Sequence, residues 1–347
     1  MGHQNESFYE LTPDLILDAV ENGLDLARQN NRATGRCMPL NSIENRVYEI
    51  FLEDGTSVVA KFYRPGRWSA DEIFEEHDFL EGLTHADLPV VSPLSLPHVE
   101  SRVSPKFKTL GKSKDSILFC VFPKKMGRSV DELGVEDLKV LGRYLARLHN
   151  VGETRFNSQK INRPTLGAQN FIQLPLKFLT DGNFLSGPQL DRYAMIANAL
   201  IELGQPQLEG LKKLQLHGDC HWGNLLWSQG NPLFVDFDDT LIGPAVQDLW
   251  MVVGGRDPID KKNREILIEA YQEFRPFAQT EFRLIEYLRA LRIVHYSYWI
   301  ARRWEDPAFK LMFPDFGSER WWQEEISALS DIHYRLIERE NEFGNND

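Results

Sequence analysis

Residues 217–239 constrain this chain more than any other stretch. His217-Gly218-Asp219-Cys220-His221-Trp222-Gly223-Asn224 runs into an apolar segment at 225–227, and a second apolar segment at 233–237 leads into Asp236-Phe237-Asp238-Asp239. Two short strand-like runs around a polar turn form a strand-loop-strand unit, which holds acidic side chains more rigidly than a free loop does. The surroundings have a different period. Leu138, Leu141, Leu145 and Leu148 fall at helical spacing, and amphipathic stretches recur at about 188–203, 260–273 and 280–303. A rigid loop therefore sits inside a helical half.

The first third of the chain is richer in strands. Thr12 and Pro13 open a helix with Leu15, Ile16, Ala19 and Val20 on its apolar side. Strand-like runs at 47–52 and 57–63 flank Asp54-Gly55, a strong hairpin signal, and the hairpin ends at Arg64-Pro65. Ser69 then caps a helix whose stripe is Ile73, Phe74, His77, Leu80 and Leu83. An apolar run at 116–122 reads as a central strand, cut off by Pro123 and Gly127. The expectation is an α+β, bilobal chain with a strand-rich N-terminal lobe at 1–122 and a larger helical lobe at 123–347. At 347 residues and 42% hydrophobic, it is long enough for both lobes to bury a core. The closing NEFGNND is expected to fray.

Charge and cysteine content exclude several classes. A formal charge of −12 works against nonspecific attraction to nucleic acid or an anionic membrane. Cys37, Cys120 and Cys220 are too few and scattered for a disulfide framework, and no CxxC pair suggests zinc. No apolar run approaches the roughly 20 residues of a membrane span, and the N-terminus lacks the pattern of a secretory signal. A soluble, cytoplasmic monomer is expected, without nucleic-acid or membrane partners.

The 217–239 pattern suits phosphoryl transfer. That reaction needs a carboxylate beside the attacking hydroxyl and hard oxygen ligands for Mg²⁺ on the phosphates. Asp219 meets the first need; Asn224 and Asp236, one neutral and one charged, meet the second. A rival metal site from His217, Cys220 and His221 finds no further ligand cluster to complete four-coordination. The Asp-x4-Asn spacing followed by a strand-borne Asp matches the order of the protein-kinase catalytic loop and its metal-binding aspartate. On that likeness Lys61, in VVAKFY, is the phosphate-binding lysine, with Glu76 as its expected partner and Glu75 as the alternative. Replacing Lys61 is expected to impair phosphate positioning and leave the fold intact. No G-x-G-x-x-G loop is present; residues 40–48, with the Ser42 hydroxyl and backbone N–H groups, stand in its place. The junction from Phe119 to Lys124, including Phe122, is expected to offer backbone hydrogen bonds to adenine. Phe282, Ile285, Leu288, Ile293, Tyr296 and Trp299 read as core, and Arg289, Arg292, Arg302 and Arg303 as structural ion-pair partners, with part of an acceptor surface as the alternative.

The loop HGD-x4-N followed by V-D-F-D resembles the aminoglycoside phosphotransferase and choline kinase branch of the protein-kinase-like superfamily. Cys220 and Trp222 depart from the Leu and Pro common there. LNSIENRVYEI, VVAKFYRPGRWSADEIFEEHDFL, HGDCHWGN, GPAVQDLWM and ARRWEDPAF together resemble the bacterial stress response kinase A family from about Leu11 to Trp322. The resemblance implies an ATP- and Mg²⁺-dependent serine/threonine protein kinase of the cytoplasm, linked to oxidative and envelope stress. It also implies Asp219 as proton acceptor, Asn224 and Asp236 as metal ligands, Ser42 as an ATP contact, and Asp248 as the residue that orders the catalytic loop. A small-molecule alcohol kinase for homoserine, choline or an aminoglycoside is the alternative, and an inactive ATP-binding scaffold the third reading.

Overall fold

Thr12 starts the first helix as a true N-cap, its hydroxyl accepting from Leu15 N at 3.4 Å, and α1 (Pro13–Leu24) lays Ile16, Ala19, Val20 and Leu24 onto a sheet. The computed structural model describes residues 8, 9, 11–130 and 132–344, with side chains as far as 338. The sheet is five-stranded and antiparallel, in the order β1-β2-β3-β5-β4, from β1 (Ala33–Pro39), β2 (Arg46–Leu52), β3 (Ser57–Phe62), β4 (Gly111–Lys112) and β5 (Leu118–Pro123). At the β2–β3 turn Gly55 takes φ +83 and Asp54 accepts from Thr56 N at 2.9 Å, as the Asp-Gly pair predicts.

Strand alternation then divides two cores. Val58, Ala60, Phe62, Phe119 and Val121 pack toward α1, while Tyr63 and Cys120 pack with Ile73 of α2 (Ala70–His85) on the other face. A complete capping box, Ser69 with Glu72, starts α2.

The remaining chain is mostly helical around one large core: α3 (Val135–Ser158), α4 (Leu174–Asp181), α5 (Gly187–Glu209), α6 (Val246–Val253), α7 (Pro258–Gln272), α8 (Ile285–Ala301), α9 (Pro307–Met312) and α10 (Glu319–Gly344). Two small sheets interrupt the helices. β7 (Leu214–Leu216) pairs with β10 (Leu241–Gly243), and β8 (Leu225–Ser228) pairs with both β6 (Arg128–Ser129) and β9 (Asn231–Phe234). Loops 217–224 and 235–240 are thereby anchored at both ends.

Three expectations shift. The second strand stops at Phe234 because Asp236 enters the left-handed region at φ 62, and Phe237–Asp239 form a 3-10 turn. The tail expected to fray continues α10 as far as Gly344; residues 345–347 lie outside the described residues. Tyr296 and Trp299 are not plain core: Tyr296 is exposed and Trp299 only partly buried, whereas Ile285 and Leu288 of the same stripe are buried.

Close approach of α3 to β7 depends on Gly152, where an added Cβ would lie 1.9 Å from the Gln215 carbonyl oxygen. Backbone on both sides leaves no soft side chain to yield. Gly152→Ala is therefore expected to cost about 1–3 kcal/mol of stability or more, read as a lowered urea midpoint.

Candidate active site

β3 carries Lys61 opposite Cys120 of β5, on the face turned away from α1, which leaves its amine nowhere to go except the region between the sheet and the helical half. The amine is almost wholly buried and lies 3.3 Å from Glu76 Oε1, 3.2 Å from Asp236 Oδ1 and 3.1 Å from Asp238 Oδ1. Burial disfavours its charge, but Asp238, Glu76 and Asp236 outweigh that and hold its pKa above the ordinary lysine value. Burial pushes Glu76 up to about 7 even with Lys61 beside it. The phase of α2 turns Glu76 inward, where the Tyr63 hydroxyl, 2.9 Å from His77 Nε2, also reaches Glu76 Oε2 at 3.4 Å; Glu75 faces Arg155 instead.

Of the three carboxylates around Lys61, Asp238 is the most heavily paired. Besides Lys61 it accepts from Arg67 and, at 3.2 Å, from Asn45 Nδ2, while Arg163 donates to its backbone oxygen and to Thr240 O at 2.7 Å. Burial would raise its pKa, yet Arg67, Lys61 and Arg163 hold the carboxyl well below the usual range.

The loop with Asp219 is built from backbone outward. Asp248, fully buried at the start of α6, accepts from His217 N at 3.0 Å and Gly218 N at 2.9 Å and lies 3.2 Å from His149 Nε2. Gly218 sits at φ +89 with Asp239 O only 2.1 Å from where a Cβ would stand, so no other residue fits there without moving the second loop. His217 Nε2 donates to Val235 O at 3.0 Å, Val235 N donates to Asn224 O at 3.1 Å, and Asn224 Nδ2 donates to Asp219 O at 2.9 Å. These bonds bring Asp219, Asn224 and Asp236 to one end of the paired loops. Both carboxylate oxygens of Asp219 are engaged, Oδ1 by Arg292 Nη1 at 2.7 Å and Oδ2 by His221 Nε2 at 3.3 Å. Burial would raise this carboxyl, but the His221 hydrogen bond and the Arg292 charge carry it below the usual range.

Residues 40–45 join β1 to β2 above these loops. Ser42 is half-buried there, Glu44 is bound by Arg303 at 2.7 Å, Arg64 at 3.2 Å and Trp299 Nε1 at 2.5 Å, and Asn45 reaches Asp238. Phe122 lies on β5 opposite Val59 and packs against both the α2-side core and the large helical core, so it marks the junction of the two halves. Among the described residues Ser42 is not hydrogen-bonded to the Lys61 cluster.

Comparison with known proteins decides the family. The model of the phosphotransferase enzyme family matches residues 36–287. Stress response kinase A of Escherichia coli strain K12 is 39% identical over 331 residues, covering 95% of this chain and 94% of that one. The chain belongs to the stress response kinase A family. Another relative, named serine/threonine protein kinase RdoA, from Salmonella typhimurium, is 37% identical over 324 residues, 93% of each chain. For this member of the stress response kinase A family, solved structures of phosphotransferases give the same fold. The amicoumacin kinase hAmiN, in complex with AMP-PNP, Ca²⁺ and amicoumacin, superposes with a TM-score of 0.61 at 19% identity, over 85% of this chain and 89% of that one. The GDP complex of aminoglycoside 2'-phosphotransferase-IIIa has a TM-score of 0.59 at 15% identity, over 92% and 99%. The α+β expectation of a strand-rich sheet followed by a helical part holds. No helix among the described residues is long and apolar enough to cross a membrane.

The residues present fit a nucleotide-bound Mg²⁺. Asp236 is half-exposed with only Oδ1 committed to Lys61, and Asn224 uses its amide nitrogen internally, which leaves its side-chain oxygen available. Among the described residues no group of three His, Cys, Asp or Glu forms a metal cage. One carboxylate and one amide suit an ion that takes its other oxygens from phosphate and water. The His217, Cys220 and His221 alternative does not assemble: His217 and Cys220 are buried, and His217 Nε2 is used on Val235 O.

Sequence reasoning missed Glu44, Asn45, Arg67, Arg163 and Asp238, all of which pair across more than 70 positions of sequence. Only Asp238 had a signal, its place two residues after Asp236. Against the expectation that its replacement leaves the fold intact, Lys61 is the one cation hydrogen-bonded to buried Glu76 among the described residues, with Arg163 acting on that carboxylate through its charge. Lys61→Ala is expected to lower unfolding free energy by about 3–5 kcal/mol, with partial recovery when Glu76→Gln is added. Chemical denaturation of the two variants checks both results.

Proposed function

We propose that this chain transfers the γ-phosphate of ATP to serine or threonine hydroxyls of protein substrates, as part of a stress response. The observation that carries the reading is the set of groups around Lys61: an amine flanked by Glu76 and Asp236, with Asn224 bonded to Asp219 O through its side chain and to Val235, next to Asp236, through its carbonyl. Those are the parts phosphoryl transfer requires, in the order required. Protein as acceptor is supported by the relatives, 38–39% identical stress response kinases A and an RdoA relative named a serine/threonine protein kinase.

Each group has a derivable task. Lys61 exchanges carboxylate partners for phosphate oxygens, while Glu76 remains behind it and keeps the amine aimed into the cleft. Asn224 and Asp236 would hold Mg²⁺, which when bound neutralises charge on the phosphates. The 40–45 loop offers the Ser42 hydroxyl and backbone N–H groups to phosphate, and the Phe122 segment offers backbone groups to the base. Asp219 orients the acceptor hydroxyl and takes its proton as the new O–P bond forms. In a loose transition state the proton leaves late, so Asp219 contributes position as much as basicity. Asp248 acts through the loop backbone, fixing where that carboxylate points.

Incubation with labelled ATP, Mg²⁺, generic protein substrates and a panel of amino alcohols tests the acceptor class. Label in protein supports the reading; label confined to the alcohols replaces it with a small-molecule kinase. Asp219→Asn keeps the shape of the side chain and removes its charge. It is expected to lower turnover by about 10² to 10⁴ while ATP binding on the same preparation barely changes. Wild-type turnover in that variant would remove Asp219 from the mechanism.

A further inference from the structure

The carboxylate assigned to the acceptor hydroxyl is already occupied. Arg292 Nη1 stands 2.7 Å from Asp219 Oδ1 and His221 Nε2 3.3 Å from Oδ2, so a hydroxyl that approaches Asp219 meets one or both of these donors and shares the carboxylate with them. His221 is held by its own loop, its Nδ1 accepting from Gly223 N at 2.9 Å. Arg292 has no comparable anchor. Its side chain is 46% exposed, and its other hydrogen bond among the described residues is to Met251 Sδ at 3.5 Å.

The neighbouring arginines are committed elsewhere. Arg67 is bound to Asp238 and Asp239, Arg303 to Glu44, and Arg289 donates to Gly254 O and stacks on Trp250 at 5.3 Å. Arg302, bound to Gly66 O and the Tyr298 hydroxyl at 3.4 Å each, makes no carboxylate pair among the described residues. Arg292 is therefore the half-exposed arginine paired with the carboxylate assigned to the acceptor hydroxyl, and an acceptor that draws it away leaves Asp219 freer for that hydroxyl. A neutral acceptor offers it nothing in exchange, and a cationic acceptor adds repulsion. An acceptor with a carboxylate or phosphate beside its hydroxyl supplies the replacement partner, in the bidentate geometry a guanidinium favours.

We infer that Arg292 is a specificity-determining residue that selects acceptors carrying an anionic group next to the reacting hydroxyl, and that binding of this group releases Asp219 for the hydroxyl. The inference rests on the phosphotransferase reading with Asp219 facing the acceptor. The same chemistry can come from an acidic stretch around a serine or from a small anionic alcohol, and the test separates the two.

The test compares serine peptides flanked by Asp and Glu, by Ala, or by Lys, together with glycerate and phosphoglycerate as anionic alcohols and choline as a cationic one. Wild-type enzyme is expected to favour anionic over neutral acceptors by roughly tenfold or more in kcat/KM, the scale of one charge-assisted contact. Arg292→Gln is expected to lose that preference through a raised KM for the anionic acceptor, and Arg292→Lys to retain part of it. Mg·ATP binding measured on each preparation separates acceptor effects from loss of the nucleotide site. Phosphate on acidic peptides supports both the inference and the protein-kinase reading. Phosphate confined to the anionic alcohols keeps the inference and removes that reading. Equal use of neutral or cationic acceptors, no transfer to any anionic one, or a preference that survives Arg292→Gln overturns the inference, whatever the acceptor class.

Discussion

A lysine amine buried among three carboxylates is the interaction on which the rest of this structure depends. Removing ions from water costs several kcal/mol each, and the cost is offset only where geometry pairs them closely. Lys61 comes from the sheet, Glu76 from α2, and Asp236 and Asp238 from the loop after β9, so the cluster can form only if both halves are folded and docked. Arg67, Arg163 and Asn45 extend the pairing around Asp238, and Arg64 with Asp306 at 2.9 Å adds a second buried pair between the halves. The cleft is thus assembled from charge that has nowhere else to be satisfied.

The loop with Asp219 follows a different logic. Its position is set by backbone N–H groups on the buried Asp248 and by a glycine at positive φ against the neighbouring loop, so the loop does not depend on the Asp219 side chain for its shape. Helix α8 then ties the two sides of the cleft together. Arg292 reaches Asp219 while Trp299, seven residues and about two turns further on, reaches Glu44 in the β1–β2 loop. One rigid helix thereby touches both the acceptor side and the loop expected to cover phosphate.

Much of this was legible in the sequence wherever the signal is local. The Asp54-Gly55 hairpin, the Ser69 capping box and the leucine period of α3 each depend on residues a few positions apart, and each element forms within a few residues of its expected bounds. The order of Asp219, Asn224 and Asp236 was equally plain. β1 was not legible: ATGRCMP is an edge strand with mostly exposed side chains, so it lacks the alternation that marks a half-buried strand. The ion-pair network was invisible for a related reason, since nothing in the neighbourhood of Glu44 or Arg163 in the sequence indicates the partner that folding brings to it. The arginines of α8 illustrate this best. Sequence reading prefers structural pairing for them and keeps an acceptor surface as the alternative, and the structure gives Arg292 a pairing with the very carboxylate assigned to the acceptor hydroxyl.

Under the proposed function, the Asp236 carboxylate that pairs with Lys61 would also hold Mg²⁺ on the nucleotide phosphates. Calorimetric titration of ADP into wild type and Asp236→Asn, each with and without Mg²⁺, tests it most directly. The account predicts that Mg²⁺ strengthens binding to the wild-type chain by a large factor and that Asp236→Asn loses most of this enhancement while its metal-free affinity is retained or improved. The same Mg²⁺ enhancement in both proteins would contradict it.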